Sequence, residues 1–233
     1  MIEITQIRKL SLWIFFIPLV AVNLCLFITV NHHLLENTIF TVDQIGRSNF
    51  TFPYFDGGLS ISRASRTFPA YLIFKPGMIL TAILVYFYWS KNNKLINGFN
   101  STSNKDYKFK TFGILSAICL AIHAILLGVD IDFKVFKLLR RVILLCFIIF
   151  EVVAQGLLVY SFYKLKDKIK NLFNLNILKC KIVLVSILVI VAVISAPIVV
   201  TKGNTHLKHA LEWNYFIGVI LFYLFTRLFW KKT

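Results

Sequence analysis

The sequence predicts an all-α membrane protein: a bundle of six transmembrane helices, both termini cytoplasmic, with a structured outer loop between the first and second helices. Three observations predict it. Of 233 residues, 58% are hydrophobic and only 15% charged, with mean hydropathy +0.76, against about 45–50% apolar and about 25% charged in soluble domains. Six apolar stretches, at about residues 11–30, 71–90, 111–129, 142–163, 182–200 and 211–229, each match the length of roughly 20 residues that crosses a hydrocarbon core about 30 Å thick. The third observation is how lysine and arginine divide between the loops. With Arg227, at the inner end of the last stretch, counted with the C-terminus, the N-terminus, second loop, fourth loop and C-terminus carry 2, 5, 6 and 3, together 16, against 3, 4 and 2 on the other side, together 9. Positive charge accumulates on the cytoplasmic side, so both termini belong there. Short loops leave no length for a separate soluble domain, and residues 1–233 form one transmembrane domain.

The first stretch follows Arg8 and Lys9 as a signal peptide would. Its apolar run exceeds the roughly 7–15 residues of a signal core, and no A-x-A-like site follows, so it stays as an anchor. Trp13, Trp89 and Trp230 fall at the inner interface and Trp213 at the outer one, as aromatic belts require. The second loop, Lys91 to Lys110, rich in Asn, Ser and Lys, reads as a solvated connector. In the fourth loop, Lys164 to Lys181, the residues Leu165, Ile169, Leu172 and Phe173 recur at helical spacing with lysines between them. That pattern suits either a basic interfacial helix touching anionic lipid or a plain extension of the fourth helix. Of the two N-x-S/T sequons, Asn49 and Asn100, only Asn49 lies on the outer side.

The net charge of +16 would point to nucleic acid in a soluble protein. Here the cations lie between apolar stretches, which fits topology control and attraction to anionic headgroups instead. Cys25, Cys119, Cys146 and Cys180 lie in or beside apolar stretches. Free thiols are expected, with no disulfide framework and no C-x-x-C spacing for a thiolate metal site. No cofactor is called for.

The richest outer segment is FDGGLSISRASRTFPAYLIF, Phe55 to Phe74. Gly57 and Gly58 permit a tight turn, while Ser60, Ser62, Arg63, Ser65 and Arg66 offer hydroxyls and two guanidiniums able to hold phosphate in bidentate fashion. Before the sixth stretch, THLKHALEWNYF sets His206, His209 and Glu212 along one side of a helix, with Trp213 following. Imidazole and carboxylate together can serve as acid and base. A zinc site would need further ligands from His123, Asp130 or Asp132, and no H-E-x-x-H pattern is present, so no metal is expected. Within the bilayer Lys75, His123, Glu151 and Gln155 are the polar residues to explain. Glu151, near the middle of the fourth stretch, must face the bundle interior and either pair with a cation such as Lys75 or His123 or join an interhelical hydrogen bond.

Two of these segments carry a family resemblance. Ser60 to Ala82, SISRASRTFPAYLIFKPGMILTA, has a serine-containing outer loop, then Pro69, the Ile73–Phe74 pair and Gly77 opening the second span; Glu212 and Trp213 stand at the outer start of the last span. This resembles the Frag/DRAM/Sfk family of six-span membrane proteins. That family includes the damage-regulated autophagy modulators and the N-terminal domain of the cell-wall-biogenesis protein of GPI lipid remodelling. Lys75 and Pro76 between the phenylalanine and the glycine depart from the pattern, and no additional C-terminal domain accompanies it. The resemblance implies membrane-lipid work: GPI-anchor lipid remodelling, lipid organisation or recruitment of lipid enzymes.

Three functions follow as expectations. The first is binding of phosphorylated lipid headgroups at the outer face through Ser60, Ser62, Arg63, Arg66, His209 and Glu212, with membrane lipids as partners and no nucleic acid. The second is a lipid acyltransferase or hydrolase with His209 as base, oriented by Glu212 or Asp130. The third is a small transporter built around Glu151.

Overall fold

In hydrocarbon every backbone N–H and C=O must be satisfied within the protein, and a long apolar run achieves this as a helix. The computed structural model describes residues 2–36, 38–39, 45–99, 107–129, 134–201 and 203–231. Among them the elements are α1 (Ile2–Val30), the short α2 (Ile61–Arg66), α3 (Tyr71–Phe99), α4 (Lys108–Leu126), α5 (Lys134–Ile169), α6 (Leu175–Val200) and α7 (Thr205–Phe229). Five of these, α1, α3, α4, α5 and α6, are long and apolar enough to cross a membrane. The fold is therefore all-helical and fits an integral multi-pass membrane protein. α7 spans 25 residues but carries Glu212, Asn214 and Arg227, which dilute its apolar character and set it apart from the five.

The six long helices pack in chain order, α1 on α3, α3 on α4, α4 on α5, α5 on α6 and α6 on α7, and α7 returns to α1. The ring is thus closed. Outward faces are apolar, with Phe27, Ile83, Ile122, Ile149 and Ile190 all exposed, as expected of side chains that meet lipid rather than water. Inside lie two apolar clusters. One, around Ile7, Trp89, Ile96, Phe109, Phe162 and Trp230, fills the end that holds both termini; the other, around Val22, Phe74, Leu120 and Trp213, fills the end that holds α2. At the α3–α4 contact a Cβ on Gly113 would lie 2.2 Å from the Trp89 ring, so the two helices approach as closely as they do because that residue has no side chain.

Two sequence expectations need correction, and a choice left open is decided. The second loop is not a solvated connector from Lys91, because α3 continues to Phe99 and buries Asn92, Asn93, Leu95 and Ile96. Asn92 spends its amide on the Tyr88 carbonyl one turn back (2.8 Å), which lets a polar residue enter the interior. Of the two readings of the fourth loop, the structure bears out the plain extension of the preceding helix. α5 runs on to Ile169, so Leu165 and Ile169 belong to its last turns and pack in the core, with only a brief turn before α6. The tryptophan belt also fails, since Trp89, Trp213 and Trp230 are fully buried and Trp13 alone of the four is exposed. For Trp213 the reason is plain: its indole N–H donates to the Leu59 carbonyl (2.8 Å), so no headgroup is needed to satisfy it. All four cysteines are free thiols.

Candidate functional site

The segment before α2 folds around one carboxylate. Asp56 accepts the Thr51 hydroxyl (2.6 Å) and the Gly58 amide (2.7 Å) on Oδ1, and the Phe52 amide (2.7 Å) on Oδ2. These bonds, the Thr51 hydroxyl first, hold its pKa below the usual carboxylate range. The turn continues through Gly57 at φ +60°, a left-handed conformation that favours glycine. A side chain there would also meet the chain of α7, because a Cβ would stand 1.8 Å from the His206 carbonyl oxygen.

This turn aims loop carbonyls at one face of α7. His206 Nδ1 bonds the Asp56 carbonyl (2.9 Å), His209 Nδ1 the Gly57 carbonyl (2.9 Å), Trp213 the Leu59 carbonyl (2.8 Å) and the Asn214 amide the Tyr54 carbonyl (2.8 Å). Residues 206, 209, 213 and 214 share a helical face at this spacing. The Tyr54 ring stacks edge-on against Trp213, with centroids 4.9 Å apart. A carbonyl can only accept, so each imidazole is the donor at Nδ1, and Nε2 of a neutral ring is left as an acceptor. Burial, with smaller contributions from Arg63 and His206, holds the His209 pKa below the usual imidazole value. His209 is therefore neutral at pH 7.

α2 is tied in from both ends. Ser60 is its N-cap, accepting the Arg63 amide on Oγ (3.2 Å). Thr29 of α1 donates to the Ala64 carbonyl (3.0 Å) and Cys25 to the Ala70 carbonyl (3.2 Å). Arg66 donates to the carbonyl (3.2 Å) and hydroxyl (3.1 Å) of Ser62. The Glu212 carboxylate faces the backbone amides of Ile61 and Ser62, with Arg66 as the nearest cation. Arg63 is exposed and lies beside His209. Ser62, Arg63, Arg66, His209 and Glu212 thus come together, while Ser60 and Ser65 are buried in the turn. Lys75 sits one turn into α3 over the Tyr71 ring, 5.4 Å from its centroid.

Two of the four intramembrane residues, Glu151 and Gln155, form a second, separate cluster. Glu151 accepts the Ser116 hydroxyl (2.6 Å) on one oxygen, and the Gln155 amide (3.0 Å) and Tyr223 hydroxyl (2.5 Å) on the other. Gln155 also donates to the Val219 carbonyl (3.2 Å). One acid thereby ties α4, α5 and α7 together. Neither Lys75 nor His123 is among its partners; His123 is buried at the far end of α4 against the backbone at Arg140. A few residues further along α7, Thr226 receives the Lys181 ammonium (2.8 Å) and pairs with the Tyr88 hydroxyl (3.1 Å). Lys181 is fully buried, with its ammonium 3.9 Å from the Phe222 ring centroid.

Lys181 escaped the sequence reading because it stands where a loop of lysines meets an apolar run, and it was counted as the last cation of the loop. Its place differs from that of a loop cation: α6 begins at Leu175, so Lys181 lies nearly two turns inside the helix, where the apolar run from Ile182 begins. Asp56 and Asn214 carry no sequence signal, since their role depends on a turn that only the folded loop displays.

Among the described residues no hydroxyl or thiol is hydrogen-bonded to His206 or His209, and no three His, Cys, Asp or Glu side chains converge as metal ligands. Asp130, Asp132 and the sequon at Asn100 lie outside the described residues; Asn49 is exposed. The site offers two guanidiniums, a neutral imidazole and a carboxylate beside Arg66, on a surface that is rigid because α7 grips its backbone. That is equipment for holding an anion. No family model, curated protein or solved structure matches this chain.

Proposed function

We propose that the chain is a six-span membrane protein with cytoplasmic termini whose loop–α7 face binds phosphorylated lipid headgroups, in membrane-lipid or GPI-anchor lipid remodelling or organisation. The observation that carries this reading is the locking of residues 54–59 onto residues 206–214, which sets Arg63 near His209 and Arg66 near Glu212. Guanidiniums present paired N–H donors that match phosphate oxygens. Ser62 holds Arg66 through its carbonyl and hydroxyl, and Glu212 acts on Arg66 through its charge. The loop also exposes Phe50, Phe52 and Phe55, the last two stacked with ring centroids 5.4 Å apart. Aromatic rings on a loop at this end suit insertion at the headgroup boundary. The charge asymmetry supports an outer position for this face, and the lipid reading accords with the resemblance to the Frag/DRAM/Sfk family.

The test is binding of a phosphorylated lipid to the purified chain in phosphatidylcholine nanodiscs, with Arg63→Gln and Glu212→Gln compared separately. Loss of a charge-assisted bond to phosphate should weaken binding about tenfold in Arg63→Gln, and loss of the group that positions Arg66 should weaken it about threefold in Glu212→Gln. Unchanged binding in both variants contradicts the proposal. Turnover of the lipid by the purified chain, abolished in His209→Ala, would replace a binding function by an enzymatic one.

A further inference from the structure

At the opposite end of the helices, where the termini lie, a cavity of about 460 Å³ opens between the end of α3, the start of α4 and the last turns of α5. Its floor is apolar, formed by Ile96, Phe109 and Leu165, all buried. Its rim is cationic, formed by Lys108, Lys164 and Lys168, all exposed. Lys164 and Lys168 are four residues apart on α5, a spacing at which like charges repel. Neither ion pair found among the described residues, Glu36 with Arg47 or Glu3 with Lys94, involves these three lysines.

The first turn of α4 adds to the same field. It carries Lys108 and Lys110 and no acid, and its N-cap residue, Tyr107, makes no side-chain capping bond. The positive end of the helix dipole is therefore reinforced rather than offset. An anion held at the rim would relieve this arrangement. An apolar floor beneath three ammoniums excludes a fully hydrated ion as the best fit and favours a ligand with a charged head and a greasy body.

Position selects the source. Tyr160 and Tyr163 are exposed on α5 at this level, with the Lys164 ammonium 4.6 Å from one ring centroid and the Lys166 ammonium 4.5 Å from the other. Tyrosine and lysine mixed in this way mark the boundary between hydrocarbon and water. Toward the middle of the helices the exposed residues of α4 and α5 are apolar, among them Leu115, Ile118, Ile149 and Val153. A molecule seated at the rim thus has water on one side and acyl chains on the other.

We infer that this cavity is a binding site for an anionic phospholipid bearing a phosphomonoester headgroup, its phosphate held by Lys108, Lys164 and Lys168 and its glycerol backbone against Ile96, Phe109 and Leu165. The site is independent of the loop–α7 face and lies at the other end of the bundle. Failure of either therefore leaves the other standing.

The experiment places the full chain in phosphatidylcholine nanodiscs with about 10 mol% photoactivatable phosphatidic acid and maps crosslinked peptides by mass spectrometry. Crosslinks are expected in 107–110 and 157–168. In the double variant Lys164→Gln/Lys168→Gln they should fall about twentyfold, since each surface cation contributes a factor of about five near anionic lipid. Lys164→Arg/Lys168→Arg should retain them, and Lys170→Gln, which removes a neighbouring charge outside the cavity, should leave them unchanged. Equal labelling of the double glutamine variant overturns the inference, as does an equal loss in Lys170→Gln, which would indicate a diffuse basic surface. Displacement of the lipid by millimolar inorganic phosphate would indicate a free-anion site and overturns it too.

Discussion

Gly57→Ala should release the loop from α7 and leave the helical bundle standing. Two costs add at this position. An alanine at φ +60° costs about 1–2 kcal/mol, and its Cβ would stand 1.8 Å from the His206 carbonyl oxygen, a backbone atom of α7 that cannot rotate away. Together they should exceed about 3 kcal/mol, more than the hydrogen bonds from His206 and His209 return at about 1 kcal/mol each. The loop will therefore shift rather than absorb the strain. Hydrogen exchange should rise for the amides of residues 55–66 while the core of α3 and α4 stays protected, and phosphorylated-lipid binding should fall with it. Gly203→Ala is the control. That glycine is also at positive φ, +89°, but a Cβ would meet nothing within 4 Å, so only the conformational cost remains. Equal exchange in Gly57→Ala and wild type would show that the clamp does not organise the loop.

Glu151→Ala should lower stability more than any other single truncation of a polar residue in the bundle. The carboxyl group receives Ser116, Gln155 and Tyr223 from three helices, and its removal leaves their donors facing a cavity in the dry interior. The expected loss is about 2–4 kcal/mol, the lower end reflecting that polar groups in a membrane-embedded unfolded state find other partners. Glu151→Gln should cost about 1 kcal/mol, because one oxygen remains to accept while the new amide faces a donor. Thermal unfolding in nanodiscs orders the two. If alanine and glutamine are equally tolerated, the acid does not hold α4, α5 and α7 together, and a role in moving ions becomes the better account of so costly a residue.

How much of this was readable in advance divides by the physics involved. Apolar runs are visible because hydrocarbon thickness sets a length: α1, α3, α5 and α6 each contain one of the stretches read from the sequence, and α4 covers its stretch up to Leu126. Their ends were not, because helices carry polar residues past the apolar run whenever a bond is waiting. Asn92 continues α3 by bonding one turn back, and α6 carries Lys181, bonded to Thr226 and seated over the Phe222 ring, ahead of its apolar run. Trp213 misled for a related reason, since its one donor is satisfied by the Leu59 carbonyl inside the protein and needs no headgroup. The loop–α7 face was half legible. Charge bias alone brings Ser60–Arg66 and His206–Trp213 to one end, and spacing alone puts His206 and His209 on one side of a helix. That both imidazoles would hold loop carbonyls instead of a proton-transfer partner depends on Asp56 and Gly57, which shape the turn and have no periodic or compositional signature. Glu151 announced itself as an acid needing partners; which helices supplied them was a matter of ring order.

The face proposed to bind lipid has meaning only if it lies across the membrane from the termini. Single cysteines at Ser62, Asn214 and Lys166, placed in a chain whose four native cysteines are serine, can be challenged in intact cells with a maleimide that does not cross membranes. The account predicts that Ser62→Cys and Asn214→Cys react from outside and Lys166→Cys reacts only after permeabilisation. Reaction of Ser62→Cys and Asn214→Cys from opposite sides, or of all three from the same side, would contradict it.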